Sequence, residues 1–311
     1  MSTSVAGILC LLAFSVSQGL RDALFGNVFQ SVSFLLVAVL AFSTATAVFA
    51  FVGILRRPGD LRRMATMPGR LAALNLSTGL AWLSFFFGLT YLEPAVVATL
   101  YNGVGPLTAL ALRGTALGGP PVATLIVERW LYVALSLTLA ALVVVVLSDR
   151  SGLAVTDLAI QSVAIVGVVT GGATIAISHM IARTMTDAGL GSDTVMGWRF
   201  LLILGAAGTG EWWAMGHAGE YAAWPAMADM AILAFTAFTL IIFPSFLLQL
   251  GVARATPLTV NVMRSLGPVF VFAVQQADGR LQFSGATLLC VLTYCVIVVA
   301  ASVLRTRYEG R

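Results

Sequence analysis

The sequence predicts an all-α polytopic membrane protein, with ten transmembrane helices arranged as two inverted five-helix repeats. Three observations carry this expectation. Of 311 residues, 59% are hydrophobic and only 10% charged, against about 25% charged in soluble domains, and mean hydropathy is +0.97. About ten apolar stretches, each near 20 residues, follow one another, and that length crosses a bilayer as a helix. The basic side chains are all arginine and collect in alternate loops, as membrane topology requires. A transmembrane barrel would instead show ~10-residue alternating segments.

Taken in order, the first span runs from about Val5 to Leu24, with Gln18, Arg21 and Asp22 toward its far end. The second is about Val32 to Leu55, and the loop RRPGDLRRMATMPGR follows. The third is about Leu71 to Tyr91, and a short turn at Glu93–Pro94 leads to the fourth, about Ala95 to Leu112. A Gly/Pro-rich connection, Gly114 to Pro121, precedes the fifth, about Trp130 to Leu147. Asp149 to Asp157 is a polar break between halves, so residues 1–148 and 149–311 form the two repeats. The sixth span is about Leu158 to Ile181 and the seventh about Thr194 to Trp213. A linker with His217, Glu220 and Trp224 comes next. The eighth is about Met227 to Leu250, the ninth about Pro257 to Val274 and the tenth about Ser284 to Leu304.

With the N-terminus inside, the inner loops receive Arg56, Arg57, Arg62, Arg63, Arg70, Arg113, Arg129, Arg183, Arg254, Arg305, Arg307 and Arg311. The outer side receives only Arg21, Arg150 and Arg280. This bias predicts a multi-pass protein of the cell (inner) membrane with both termini cytoplasmic. Five spans per half reverse the orientation of the second half, and a binding site is expected where the halves meet. MSTSVAG lacks the basic start of a signal peptide, so the first span is expected to be retained. Cys10, Cys290 and Cys295 all fall inside spans, which favours packing over a disulfide or metal site. No cofactor is implied, and no basic stripe interleaved with aromatics points to nucleic acid.

ATPLTVNVMRSLGPVFVFAV, residues 255–274, is apolar yet holds a charge and a Gly-Pro break. Asn261, Arg264, Ser265 and Pro268 fall at i, i+3, i+4 and i+7, on one helical face. Pro268 deprives the Arg264 carbonyl of its helical partner, and Pro106, in EPAVVATLYNGVGPLTALAL, does the same to Asn102. Broken apolar segments in matching places of two halves point to a transporter's binding site. Arg264 is about eight residues, roughly 12 Å, into its span. It is read as a positive group facing a central cavity and attracting a carboxylate, or else as a structural arginine bonded to helix carbonyls. Tyr101, Asn102 and Asn261 would supply hydrogen bonds, and Trp82 an apolar wall. Gln249 and Ser245 mark a further polar face on span eight, and Gln18 one on span one. Arg199, about five residues from the cytoplasmic end of span seven, is expected to snorkel to the interface or to be held by a fixed structural bond. Phe85, Phe86, Phe87 and Tyr91 are expected to pack or face lipid. Gly171–Gly172 and Gly205 with Gly208 are expected to let helices approach closely.

The phrases LEPAVVATLYNGVGPLTAL, ATPLTVNVMRSLGPVFVF and MGWRFLLIL, with five plus five spans and short hairpins before spans four and nine, resemble the EamA-type members of the drug/metabolite transporter superfamily. The resemblance covers nearly the whole chain. Phe34 stands roughly where many members carry an arginine, and the usual Gly-Glu-Arg after span four is reduced to Glu128–Arg129 after Val127. The resemblance implies an exporter or facilitator of small metabolites, amino acids or related carboxylates first. The site would lie between spans three, four, eight and nine, plus one and six, and would work by alternating access. The alternatives are phosphorylated anions, which would gather several basic residues around the cavity, or drug-like amphiphiles. An intramembrane enzyme would need a nucleophile with its base or a metal cluster; two distant histidines do not supply one, so no enzyme is expected. A scaffold would need a large projecting surface.

No carboxylate falls in the middle third of a predicted span, so no coupling residue stands out; His179 and Glu93 are the candidates. The expected partners are the substrate and the bilayer, with the chain a monomer or homodimer.

Overall fold

In a computed structural model, residues 2–29, 32–117, 126–153, 157–217, 227–252, 254–255 and 257–309 are described. The elements are α1 (Ser2–Val28), α2 (Phe34–Arg56), α3 (Asp60–Ala65), α4 (Pro68–Tyr91), α5 (Pro94–Ala111), α6 (Ile126–Leu147), α7 (Leu158–Asp187), α8 (Ser192–Trp198), α9 (Leu201–His217), α10 (Met227–Val252), α11 (Pro257–Ser265), α12 (Gly267–Ala277) and α13 (Gly285–Glu309). Among the described residues there is no strand. Among the described residues six helices, α1, α2, α4, α6, α7 and α13, are long and apolar enough to cross a bilayer. Their outward faces carry exposed Leu9, Phe51, Leu76, Val163, Leu289 and Val296, a surface suited to lipid. The chain is an all-α membrane protein.

Local chemistry sets the helix ends. Pro68 and Pro94 open α4 and α5, where a missing N–H costs nothing. Asp157 caps α7 by accepting from the N–H groups of Ala159 (2.8 Å) and Ile160 (3.2 Å). Gly189, at φ +92°, lets the chain turn after α7, where the Leu190 N–H reaches the Met185 carbonyl. Asp60 on α3 is buried; its Oδ2 accepts from the Gly191 N–H (2.7 Å) and the Thr194 hydroxyl (3.3 Å). It anchors the arginine-rich loop to the start of α8.

Helices from the two ends of the chain alternate in space. α4 lies along α7, α1 along α10, α2 against α8 and α9, and α6 against α13, while α5 touches both α7 and α12. Phe25, Phe29, Phe42, Phe85, Phe86 and Phe200 form an aromatic core, with Phe42 4.8 Å from Phe200 by ring centroids. Phe85 and Phe86 are thus core residues, not lipid-facing ones. A Cβ on Gly172 would lie 2.5 Å from the Tyr101 carbonyl oxygen, and one on Gly197 2.5 Å from the Ala50 nitrogen. α5 therefore meets α7, and α2 meets α8, backbone to backbone. Gly205 and Gly208 have open space instead and mark no close approach.

Two predicted spans differ in continuity. The seventh is broken between Trp198 and Leu201, and the ninth between Ser265 and Gly267. Pro268 lies in the first turn of α12, where it starts a helix rather than bending one. Pro106 does not break α5, which stays helical through it.

Gly172→Val is expected to lower stability by about 1–3 kcal/mol, because the clash is with backbone. Gly205→Ala should stay within about 0.5 kcal/mol. Thermal unfolding in one detergent distinguishes the two.

Candidate functional site

The helix breaks carry the polar chemistry. At the first, Asn75 of α4 donates to the Trp198 carbonyl (2.9 Å) and accepts from the Leu202 N–H (3.2 Å). One amide thus occupies both backbone groups that the break exposes. Arg199 lies in this break, 6% exposed. It donates to Ser178 (2.8 Å) and Thr78 (3.3 Å), and those two hydroxyls are 2.6 Å apart. At the second break, Ser15 donates to the Met263 carbonyl (2.7 Å) and the Cys295 thiol to the Ser265 carbonyl (2.9 Å).

Of the two expectations for Arg199 the fixed structural bond holds and snorkelling does not: two buried hydroxyls keep its charge inside the bundle. Arg21, assigned from sequence to the outer side, is also interior. Its guanidinium lies over Trp82 (5.4 Å) and Phe85 (5.7 Å) and pairs with Asp22 at 2.7 Å. Asp22 is fully buried, so a carboxylate does lie within the bundle.

Arg264, at the end of α11, is half-exposed. Among the described residues its guanidinium has no hydrogen-bond or ion-pair partner, but Tyr294 and His179 lie within its electrostatic reach. His179 is exposed although its neighbour Ser178 is fully buried, and it feels both Arg199 and Arg264. An exposed ring thus lies within reach of two guanidinium groups. Tyr101 faces the same region, in reach of Arg21, Asp22 and Arg199, and its buried hydroxyl has no hydrogen-bond partner among the described residues. Three guanidinium groups and one carboxylate leave the region net positive.

The other predicted residues fall as follows. Trp82 packs on Phe42 (5.2 Å) beneath Arg21. The half-exposed Asn102 amide donates one bond to the Ala98 carbonyl of its own helix (2.8 Å), which leaves its oxygen and second N–H uncommitted among the described residues. Ser265 and Ser245 likewise bond their own helices. Gln18 faces Gly267 at the second break. The side chains of Asn261 and Gln249 lie outside the described residues, as does the linker 218–226.

The two ends of the bundle differ. Residues 94–100 of α5 are all buried, while most of 101–111 is half-exposed; α12 buries one face, while the described residues of α11 are half-exposed apart from Ser265. At the tight end sits Glu93, 1% exposed. It accepts from the Gly152 N–H (2.7 Å), the Thr287 hydroxyl (3.0 Å) and the Gln275 amide, whose oxygen accepts from the Ala95 N–H (3.0 Å). One carboxylate thus ties the α4–α5 turn to the 151–153 segment, α12 and α13. The cavity beside it, lined by residues including Gly26, Pro94 and Gln275, is about 10 Å³, room for one water. At the opposite end a groove of about 230 Å³ opens between Gly69, Arg70, Ala73, Ala116, Leu117, Ile181 and Thr184. Among the described residues no group of three His, Cys, Asp or Glu is placed to hold a metal.

Sequence reasoning missed Asn75, Thr78, Ser178, Asp22 and Tyr294. Short polar residues in apolar spans were the available signal, but most such residues bond their own helix, as Asn102 does. No family model matches the sequence, and no curated protein matches it. A solved structure described as "Crystal structure of protein" superposes with a TM-score of 0.59 at 16% identity, covering 99% of this chain and 97% of that one. The likeness shows a shared fold.

Burial pushes the Glu93 carboxyl above its ordinary 4.5, while the Gly152 N–H, Gln275 and Thr287 pull it down. From 4.5 up to that raised value, the folded protein holds a proton the unfolded chain has released. Stability therefore falls as pH rises through that window and is fullest below 4.5. Glu93→Gln should flatten this slope in thermal unfolding measured across pH; an unchanged slope would contradict the assignment.

Proposed function

We propose that this chain is a transporter of small anionic metabolites, amino acids or related carboxylates first, exporting or facilitating their passage by alternating access. The observation that carries the reading is Arg264: a guanidinium in the bundle, half-exposed and unpaired among the described residues, where a helix breaks. A buried charge is retained where it faces a water-filled path or a ligand. The resemblance to EamA-type transporters points the same way. The net positive region favours, as a second reading, an anion of more than one charge, phosphorylated compounds included.

The helix pairing supports two inverted repeats. Count α1, α2, α4, α5 and α6 as spans one to five, and α7, α8–α9, α10, α11–α12 and α13 as six to ten. Exchanging the halves then turns the α4–α7 pair into α10–α1. It maps α2 with α8–α9, α6 with α13, and α5 with α12 onto themselves. A two-fold axis in the membrane plane has this property. With both termini cytoplasmic, as the arginine bias indicates, the Glu93 end faces outward. The conformation is then inward-open, sealed by Glu93 and accessible beside His179.

Proteoliposomes with a panel of labelled amino acids, dicarboxylates and phosphorylated acids test the proposal. Flux of at least one anion is expected, and none for any, in either direction and with or without a proton gradient, would defeat it. Arg264→Gln should cut that flux about 10–100-fold, the worth of a charge-assisted bond of about 1.5–3 kcal/mol; unchanged flux would retire Arg264.

A further inference from the structure

Asp22 has no role in the passage described so far. Arg21 sends both Nε and Nη2 to one oxygen, Oδ1, each at 2.7 Å. Oδ2 is buried and has no hydrogen-bond partner among the described residues. The Tyr101 hydroxyl, also buried and unpartnered, lies within electrostatic reach of Asp22, Arg21 and Arg199. Such unmet groups are costly in an apolar interior and accumulate where a ligand or a proton is handled.

We propose that Asp22 Oδ2 is the proton site of the transport cycle, coupled to the anion through Arg21. The inference rests on the transporter reading above. Hydronium gives its proton to Oδ2: an O–H bond forms there, one in hydronium breaks, and water leaves. Neutral Asp22 then releases its claim on the guanidinium, and Arg21 becomes available to an anion's oxygens. The reverse step on the other face returns the proton to water. Proton and anion therefore promote each other's binding and move in the same direction.

The groups around the site are few. α1 supplies Arg21, and α5 supplies Tyr101. α4 supplies the rings of Trp82 and Phe85, and its one charge, Arg70, is at its far end. α11 supplies Arg264, and α12 has no ionisable residue. α10 has Asp229, whose side chain lies outside the described residues. Arg199 acts from the first helix break.

The test is infrared titration of the purified full chain in lipid nanodiscs, following the stretch of protonated carboxyl groups, alone and with succinate. A titrating band is expected that vanishes in Asp22→Asn and survives in Glu93→Gln. Succinate should raise its midpoint by at least about fivefold in proton concentration. Tyr101→Phe, which keeps the carboxyl and its ion pair, should retain the band and shift its midpoint. A band unaffected by Asp22→Asn, or no band at all, would make the ion pair purely structural. A midpoint that succinate lowers or leaves in place would overturn the coupling, while flux of any anion in the liposome panel would leave the transporter reading standing.

Discussion

Holding guanidinium charge inside an apolar helical bundle is the constraint that organises this molecule. Each such group costs about 2.5–3.5 kcal/mol on insertion scales. The fold meets that cost in three ways. Arg199 is bonded by two hydroxyls from α4 and α7. Arg21 is clasped by Asp22 and two aromatic rings. Arg264 has neither and is left half-exposed at a helix break. The first two are closed arrangements; the third has no partner among the described residues.

Both breaks would fail without outside partners for their backbone. Asn75 spans the first, while Ser15 and Cys295 reach the second from α1 and α13. These contacts join helices from opposite ends of the chain. Movement of one set against the other would change both the breaks and the arginines beside them. At the far end, Glu93 collects a backbone N–H, a hydroxyl and an amide from three separate segments. A single buried carboxylate so placed ties those three segments together.

Much of this could be read from the residues. The helical class follows from long apolar runs, and Arg264 stood out as a charge deep in one of them. The discontinuity of span nine was legible at Gly267–Pro268. Span seven has no proline, and its break is stabilised by a tertiary amide, Asn75, which no local pattern announces. Measuring the depth of Arg199 along an unbroken helix therefore placed it near a surface it does not reach. Asp22 was hidden for a related reason: beside Arg21, near the end of an apolar run, the pair resembles an interfacial one. Tertiary packing, with α10 and α12 along α1 and the α4 rings over Arg21, makes the site interior. Pro106 misled in the other direction, since α5 absorbs it and remains helical.

Thiol accessibility at position 179 tests the open, positive interior most directly. In a His179→Cys variant with Cys10 and Cys290 replaced by alanine and Cys295 by serine, whose hydroxyl can keep the bond to the Ser265 carbonyl, a membrane-impermeant anionic methanethiosulfonate should react from one face of the membrane. It should react several-fold faster than a cationic reagent of similar size, because the surrounding guanidinium groups attract it. Labelling only by a lipid-soluble reagent, or equal rates for the two charged ones, would mean that the arginines sit in a dry seam with no path for an anion.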